Sequence, residues 1–281
     1  MGNLASERDF VGQLVEMGYS HDQIREELES MGWHPRSADQ VLERFEKNQI
    51  SEVGEDHAGP DLSRFPSCVQ VEDRKINLLA TMRSPRLSLF GNFMSEEECA
   101  ELIALSLPHM QRSEVVISDG VARRETTQAY ARTSDQVSLP RGTSELVDAL
   151  WRRAAQLTRW PETYMQDLFV IRYRPGADFS PHNDYFPPDS HPELARDRQR
   201  VATLLLYLSS ASYGGATAFL DVEVEIHPQA GNALLFSYPR PCQESLTLHA
   251  GVPLCEGEKW IATFFLSNAP VKSARTTGME V

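Results

Sequence analysis

Residues 168–186 read LFVIRYRPGADFSPHNDYF, and the reading of this stretch decides the fold. Its first six residues are apolar, β-branched or aromatic at nearly every position and run into Pro175-Gly176, so they form a strand that ends in a turn. Working outward, the same texture recurs downstream. Strands are expected at 201–208, 217–220, 222–226, 233–236, 246–249 and 260–266. Upstream the pattern is helical. Ser95 and Glu98 have capping-box spacing ahead of Leu102, Ile103 and Leu105, and a second helix is expected from about 144 to 157. Many short strands behind a helical lead-in define an α+β fold, a jelly roll braced by helices.

The same stretch carries chemistry. His182-Asn183-Asp184 sets an imidazole and a carboxylate two residues apart, a spacing that lets both reach one side of an extended backbone. An isolated His-x-Asp is common by chance. A third ligand from a distant strand would complete two histidines and one carboxylate on one face of a metal, the set that leaves three positions open on non-haem iron(II). His249, in Leu246-Thr247-Leu248-His249, is the candidate. Ten residues on, Lys259 follows a turn containing Gly251, Pro253 and Gly257, placed to meet a dicarboxylic co-substrate as a point charge. His191 in a polar loop and His227 before Pro228 read as structural.

Composition bounds the rest. A chain of 281 residues, 41% hydrophobic, can bury one large core and carry a small appendage. The formal charge of −13 argues against a protein that tracks a nucleic-acid backbone. No apolar run reaches the length of a membrane span, and no apolar signal segment opens the chain. Gly2 and Ser6 match the N-myristoylation pattern. Four scattered cysteines without a CxxC pair suit a reducing compartment, so a cytoplasmic protein is expected.

Charge is uneven: residues 1–60 carry 13 acidic and 5 basic side chains, leaving −5 of the −13 for the other 221 residues. Three short helices are expected there. Phe10, Leu14 and Met17 share a face; Ser20 and Gln23 cap Ile24, Leu28 and Met31; Ser37 and Gln40 cap Val41, Leu42 and Phe45. The organisation read from this is a helical module over 1–48, a polar linker over 49–67, a catalytic domain over 68–270 and a tail over 271–281. The Met17-Gly18-Tyr19 turn resembles the loop of ubiquitin-associated (UBA) domains, which implies a compact three-helix domain with ubiquitin or another protein as partner.

Beyond residue 85 the chain resembles the prolyl 4-hydroxylase family of 2-oxoglutarate dioxygenases. The matching stretches are Arg132-Thr133-Ser134, Arg172 to Gly176, Pro181 to Phe186, Gly214 to Phe219, Pro228 to Phe236, Leu248 to Pro253 and Gly257 to Trp260. They keep the family's order over roughly 85–267. The resemblance implies a double-stranded β-helix, Fe(II) on His182, Asp184 and His249, and 2-oxoglutarate held by Lys259 with help from Tyr173 and Thr203. It further implies ascorbate as supporting reductant, Arg132 and Arg200 near a peptide substrate, and release of succinate and CO2.

Two departures bear on the substrate. Phe179 stands where the family usually has tyrosine, and Phe265 where many members have tryptophan. A flat apolar wall for a proline ring survives, while a hydroxyl and an indole N–H are gone. Three readings follow: a peptidyl-proline hydroxylase, the same machinery acting on another residue or a small molecule, and a catalytically silent ubiquitin-binding protein.

Overall fold

Alternation along one strand sorts the molecule into layers. In the computed structural model, strand β8 (Arg200–Tyr207) turns Ala202, Leu204 and Leu206 to one apolar cluster and Leu205 and Tyr207 to another. The structure describes residues 20–30, 60, 66–72, 74–112, 134–187, 191–211, 213–238 and 240–271. The chain divides into two compact units, Met1–Glu55 and Asp56–Val281. In the first, helix α1 (His21–Ser30) opens with a reciprocal capping box between Ser20 and Gln23, and Ile24 and Leu28 are buried. The other two helices expected over 1–48 fall outside the described residues, as does the tail after residue 271.

In the second unit the described strands are β1 (Cys68–Val71), β2 (Arg74–Met82), β3 (Arg86–Gly91), β4 (Gln111–Arg112), β5 (Asp135–Leu139), β6 (Leu168–Tyr173), β7 (Phe179–His182), β8, β9 (Thr217–Phe219), β10 (Val224–Ile226), β11 (Ala233–Ser237), β12 (His249–Gly251) and β13 (Lys259–Ser267). They form two antiparallel sheets. The larger runs β1-β2-β3-β11-β8-β13-β6-β5-β4 and the smaller β10-β9-β12-β7. The α+β class and the jelly-roll arrangement expected from the sequence stand.

Helices α2 (Glu96–Ser106) and α3 (Glu145–Thr158) cover one face of the large sheet. Ser95 and Glu98 make the expected capping box on α2, and the Ser144 side chain caps α3. From these helices Leu102, Val147, Leu150, Trp151, Ala154 and Leu157 pack on Leu168, Val170, Leu204, Leu206, Ala262 and Phe264, with the Trp151 and Phe264 rings edge to face at 5.4 Å. Arg153, almost wholly buried, bonds Glu98 through two nitrogens and donates to the Phe93 carbonyl, which ties the two helices together. The opposite face, with Ile171, Tyr173, Leu205, Tyr207, Leu234, Phe236 and Ile261, closes on the small sheet. A short helix, α4 (Pro192–Asp197), precedes β8.

Two expected strands start late. Residues 243–245 form a 3-10 turn and Leu246 takes φ +53°, so the strand expected from 246 begins at His249. Likewise the chain turns over 220–223, with Glu223 at φ +54°, before β10. Among the described residues no helix is long and apolar enough to cross a membrane.

Candidate metal centre and its surroundings

The small sheet assembles the candidate ligands. Strand β12 pairs with β7 so that His249 lies directly opposite His182, which brings together residues 67 positions apart. Strand β7 is the sheet's edge, so Pro181, which has no N–H to give a neighbour, fits within it. β7 ends at His182, and Asp184 sits just past the strand rather than on an extended run with it. Opposite Phe179 stands Gly251, where an added Cβ would come within 3.3 Å of the Phe179 backbone nitrogen. The bare glycine lets the strands close at this point.

His182, Asp184 and His249 each offer a ligand atom, all within 4.8 Å of one another. Both histidines are oriented the same way. His182 Nδ1 lies 2.9 Å from the Ser180 carbonyl and His249 Nδ1 2.9 Å from the Thr247 carbonyl. A carbonyl can only accept, so Nδ1 carries a hydrogen in each ring, which leaves Nε2 as the nitrogen that can ligate a metal. Those nitrogens face Asp184, with His182 Nε2 3.6 Å from Oδ1 and His249 Nε2 3.8 Å from Oδ2. Burial by itself would raise the Asp184 pKa. His249, His182 and Arg200, with a hydrogen bond from Thr203, overcome that and hold the carboxyl below its ordinary range. Two imidazole Nε2 atoms and an ionised oxygen converge here, and with both rings neutral, as ligation requires, they fit a divalent cation of the iron(II) type with open positions.

Around the triad the walls are aromatic. Phe179 stacks on His182 with ring centroids 3.6 Å apart, while Phe236 and Phe219 pack on His249 at 5.0 and 5.7 Å. The Arg200 guanidinium lies between the rings of Phe265 (3.6 Å) and Phe186 (4.6 Å), with one nitrogen donating to the Asp184 carbonyl and another to Gln166. Phe265 therefore braces the arginine that braces the metal ligand.

Lys259 opens β13 opposite Tyr173 on β6 and points to the inner face, 4% exposed, with Nζ 5.5 Å from the Tyr173 ring centre. Burial brings its pKa down to about 8, and no described carboxylate pairs with it. Its stem passes beside Gly215, next to Gly214. Both have positive φ; a Cβ on Gly215 would meet the lysine's Cδ at 3.4 Å, and one on Gly214 would come within 2.3 Å of the Pro253 carbonyl. On the outer face of the same strand ends, Arg172 and Glu258 form an ion pair and Trp260 Nε1 donates to Glu258, fixing the Lys259–Tyr173 register.

The remaining candidates lie as follows. Thr203, expected beside 2-oxoglutarate, has its hydroxyl on Asp184 Oδ2 at 2.7 Å. Arg132 lies outside the described residues. His191 sits at the start of α4, and exposed His227 faces Glu225 at 3.8 Å. Sequence reasoning missed two residues. The buried Gln199 amide bonds both the N–H and the C=O of Phe186 at 2.8 and 2.7 Å, so it clips the segment after Asp184 to β8. Tyr238, fully buried, stands 2.8 Å from Thr203. No short motif marks either; only the pairing of β8 with β11 and the return of the 184–186 segment bring them to the site.

Two antiparallel sheets carrying a two-histidine, one-carboxylate face and a buried lysine on the strand after the second histidine define the non-haem iron, 2-oxoglutarate-dependent dioxygenases. Residues 168–267 match the 2OG-Fe(II) oxygenase superfamily model. Over 200 residues the chain is 32% identical to the probable prolyl 4-hydroxylase 3 of Arabidopsis thaliana, covering 64% of this chain and 68% of that protein. It is also 32% identical over 206 residues to prolyl 4-hydroxylase 2 of the same plant, covering 64% and 66%. A crystal structure of a viral collagen prolyl hydroxylase from Paramecium bursaria Chlorella virus-1, in complex with 2OG, superposes with TM-score 0.52 at 26% identity over 64% of this chain and 95% of that one. The chain belongs to the prolyl 4-hydroxylase family of 2OG-Fe(II) oxygenases, and it is a 2-oxoglutarate-dependent dioxygenase.

Proposed function

We propose that this dioxygenase hydroxylates peptidyl proline. The observation that carries the reading is the aromatic flank of the metal centre. Phe179 lies flat on His182, and Phe265 holds Arg200 against the backbone of Asp184. A pyrrolidine ring packs on such faces through its C–H bonds. Names of the relatives point the same way. Iron(II) on His182 Nε2, His249 Nε2 and Asp184 would supply the site of O2 reduction, one oxygen atom entering succinate and the other the product hydroxyl. Lys259 meets the distal carboxylate of 2-oxoglutarate with Tyr173 beside it, the aromatic walls exclude water, and ascorbate is the supporting reductant. Incubating a proline-containing peptide library with the protein, Fe(II), 2-oxoglutarate and ascorbate should give a one-oxygen mass gain at proline and peptide-dependent succinate. A gain confined to other residues, or succinate release indifferent to peptide, overturns the proline assignment.

We propose further that residues 1–48 are a UBA-like module joined to the catalytic domain (68–270) through the linker over 49–67. Support comes from the capped, amphipathic helix α1 and from the acidic balance of the segment. Titrating isotope-labelled ubiquitin with the full-length protein should shift ubiquitin resonances, and Met17→Glu should remove the shifts. An unchanged spectrum at millimolar protein rules ubiquitin out as the partner.

A further inference from the structure

Behind the metal centre runs a chain of hydroxyls with a fixed direction. Thr203 is 1% exposed, and its Oγ1 lies 2.7 Å from Asp184 Oδ2 and 2.8 Å from the Tyr238 hydroxyl. An ionised carboxylate only accepts, so the single hydroxyl hydrogen of Thr203 goes to Asp184. Thr203 is then an acceptor on its other side, and Tyr238 donates to it. Tyr238 suits that role. Its backbone N–H is bound to the Val201 carbonyl, and its ring packs against Tyr185 and Phe236 at 5.8 and 6.1 Å. Burial also pushes its phenol far above the ordinary range, so the hydrogen stays in place at neutral pH.

We infer that Tyr238 is a positioning residue which, acting through Thr203, holds Asp184 as a one-oxygen metal ligand. Oδ2 accepts from Thr203 and lies 3.8 Å from His249 Nε2, while Oδ1, 3.6 Å from His182 Nε2, is the oxygen that Thr203 does not hold. A carboxylate free to rotate would present both oxygens and fill one of the three positions that a two-histidine, one-carboxylate face leaves for co-substrate and oxygen. The Arg200 contact to the Asp184 carbonyl fixes the backbone of this residue, and the Tyr238–Thr203 pair fixes its side chain. The inference rests on the dioxygenase reading of the site, and it gives Thr203 a task other than contact with 2-oxoglutarate.

Anaerobic Co(II) titration of the full-length protein tests this without turnover, reading both affinity and the ligand-field spectrum. Thr203→Val should weaken Co(II) binding about tenfold to a hundredfold, the range for loss of a partner behind a metal ligand, and should change the band intensities. Thr203→Ser keeps the hydroxyl and should match the wild type. Tyr238→Phe should weaken binding by a smaller factor. The double variant, Thr203→Val with Tyr238→Phe, should be no worse than Thr203→Val alone, because the two act in series. Additive losses in the double variant would overturn the relay. So would a Thr203→Val protein with wild-type Co(II) affinity and spectrum that binds 2-oxoglutarate more weakly, since Thr203 would then be a co-substrate contact. A wild-type protein that takes up no Co(II) overturns the metal-site reading itself, which separates that failure from failure of the relay.

Discussion

Asp184→Ala, His182→Ala and His249→Ala should each yield a folded protein that holds no stoichiometric iron(II) and forms no succinate. Each change removes one of the three ligand atoms that, among the described residues, lie within 4.8 Å of one another. Loss of a group behind a ligand already costs about tenfold to a hundredfold in metal affinity, so loss of a ligand itself should cost more than about a hundredfold. The fold should survive, because the three residues lie in or beside the four-stranded sheet while most of the core lies between the nine-stranded sheet and α2 and α3. Asp184→Ala is the most informative of the three. It removes the carboxylate that Thr203 supports, but leaves the backbone carbonyl that Arg200 holds and both histidines with their Nδ1 atoms on carbonyls. Metal content after Fe(II) loading, succinate release and thermal melting together check the outcome. Chelation of the wild type should mimic the loss, and added Fe(II) should reverse it. Wild-type succinate formation in any of the three variants would sink the ligand assignment.

How much of this was legible in the sequence depends on whether a residue's role is set locally or by pairing. His182 and Asp184 are two residues apart and visible as a unit. His249 and Lys259 come into view through their order and spacing after that unit. Strands whose apolar pattern is strong, such as 168–173 and 201–208, are found within a residue or so of their observed bounds. Strands with little pattern escape. β2 is exposed or half-buried at eight of its nine positions, so it shows no alternation, and β7 reads Phe-Ser-Pro-His, with a proline tolerated only because the strand is an edge. The strand expected from Leu246 begins three residues late because Leu246 adopts a left-handed backbone that propensity does not foretell. Phe179 and Phe265 were recognised as aromatic substitutions, but their work of stacking on His182 and bracing Arg200 is a matter of ring placement. Gln199 and Tyr238 were invisible for a related reason. One reaches the backbone of Phe186 and the other the hydroxyl of Thr203 only after β8, β11 and the 184–186 segment have been laid side by side.

Lys259→Ala should raise the KM for 2-oxoglutarate by on the order of a hundredfold or more, the scale for removing one partner of a desolvated charge pair, while leaving iron(II) affinity near that of the wild type. The lysine is 4% exposed, and its stem lies beside Gly215. Burial lowers its pKa to about 8. Below that pH the free protein presents an ammonium to the distal carboxylate. Above it the group is neutral, and binding a dianion must first return a proton to it. The wild-type KM for 2-oxoglutarate should therefore stay level on the acid side of about pH 8. It should climb on the alkaline side, by up to about tenfold per pH unit as one proton is taken up with the ligand. The Lys259→Ala profile should be flat across the same range, since the titrating group is gone. Steady-state succinate formation at saturating peptide, from about pH 6.5 to about pH 9.5, gives both curves, and Fe(II) titration of the variant gives the metal affinity. If Lys259→Ala left the 2-oxoglutarate dependence unchanged, the anchor would have to be another cation. The two nearest in sequence logic are already engaged: Arg172 is paired with Glu258 on the outer face, and Arg200 is held between Phe186 and Phe265 with its nitrogens on Asp184 and Gln166. Neither can leave its partners without loosening a strand end or the metal-bearing segment. Lys259, with no carboxylate of its own among the described residues, is the cation that a bound dicarboxylate completes.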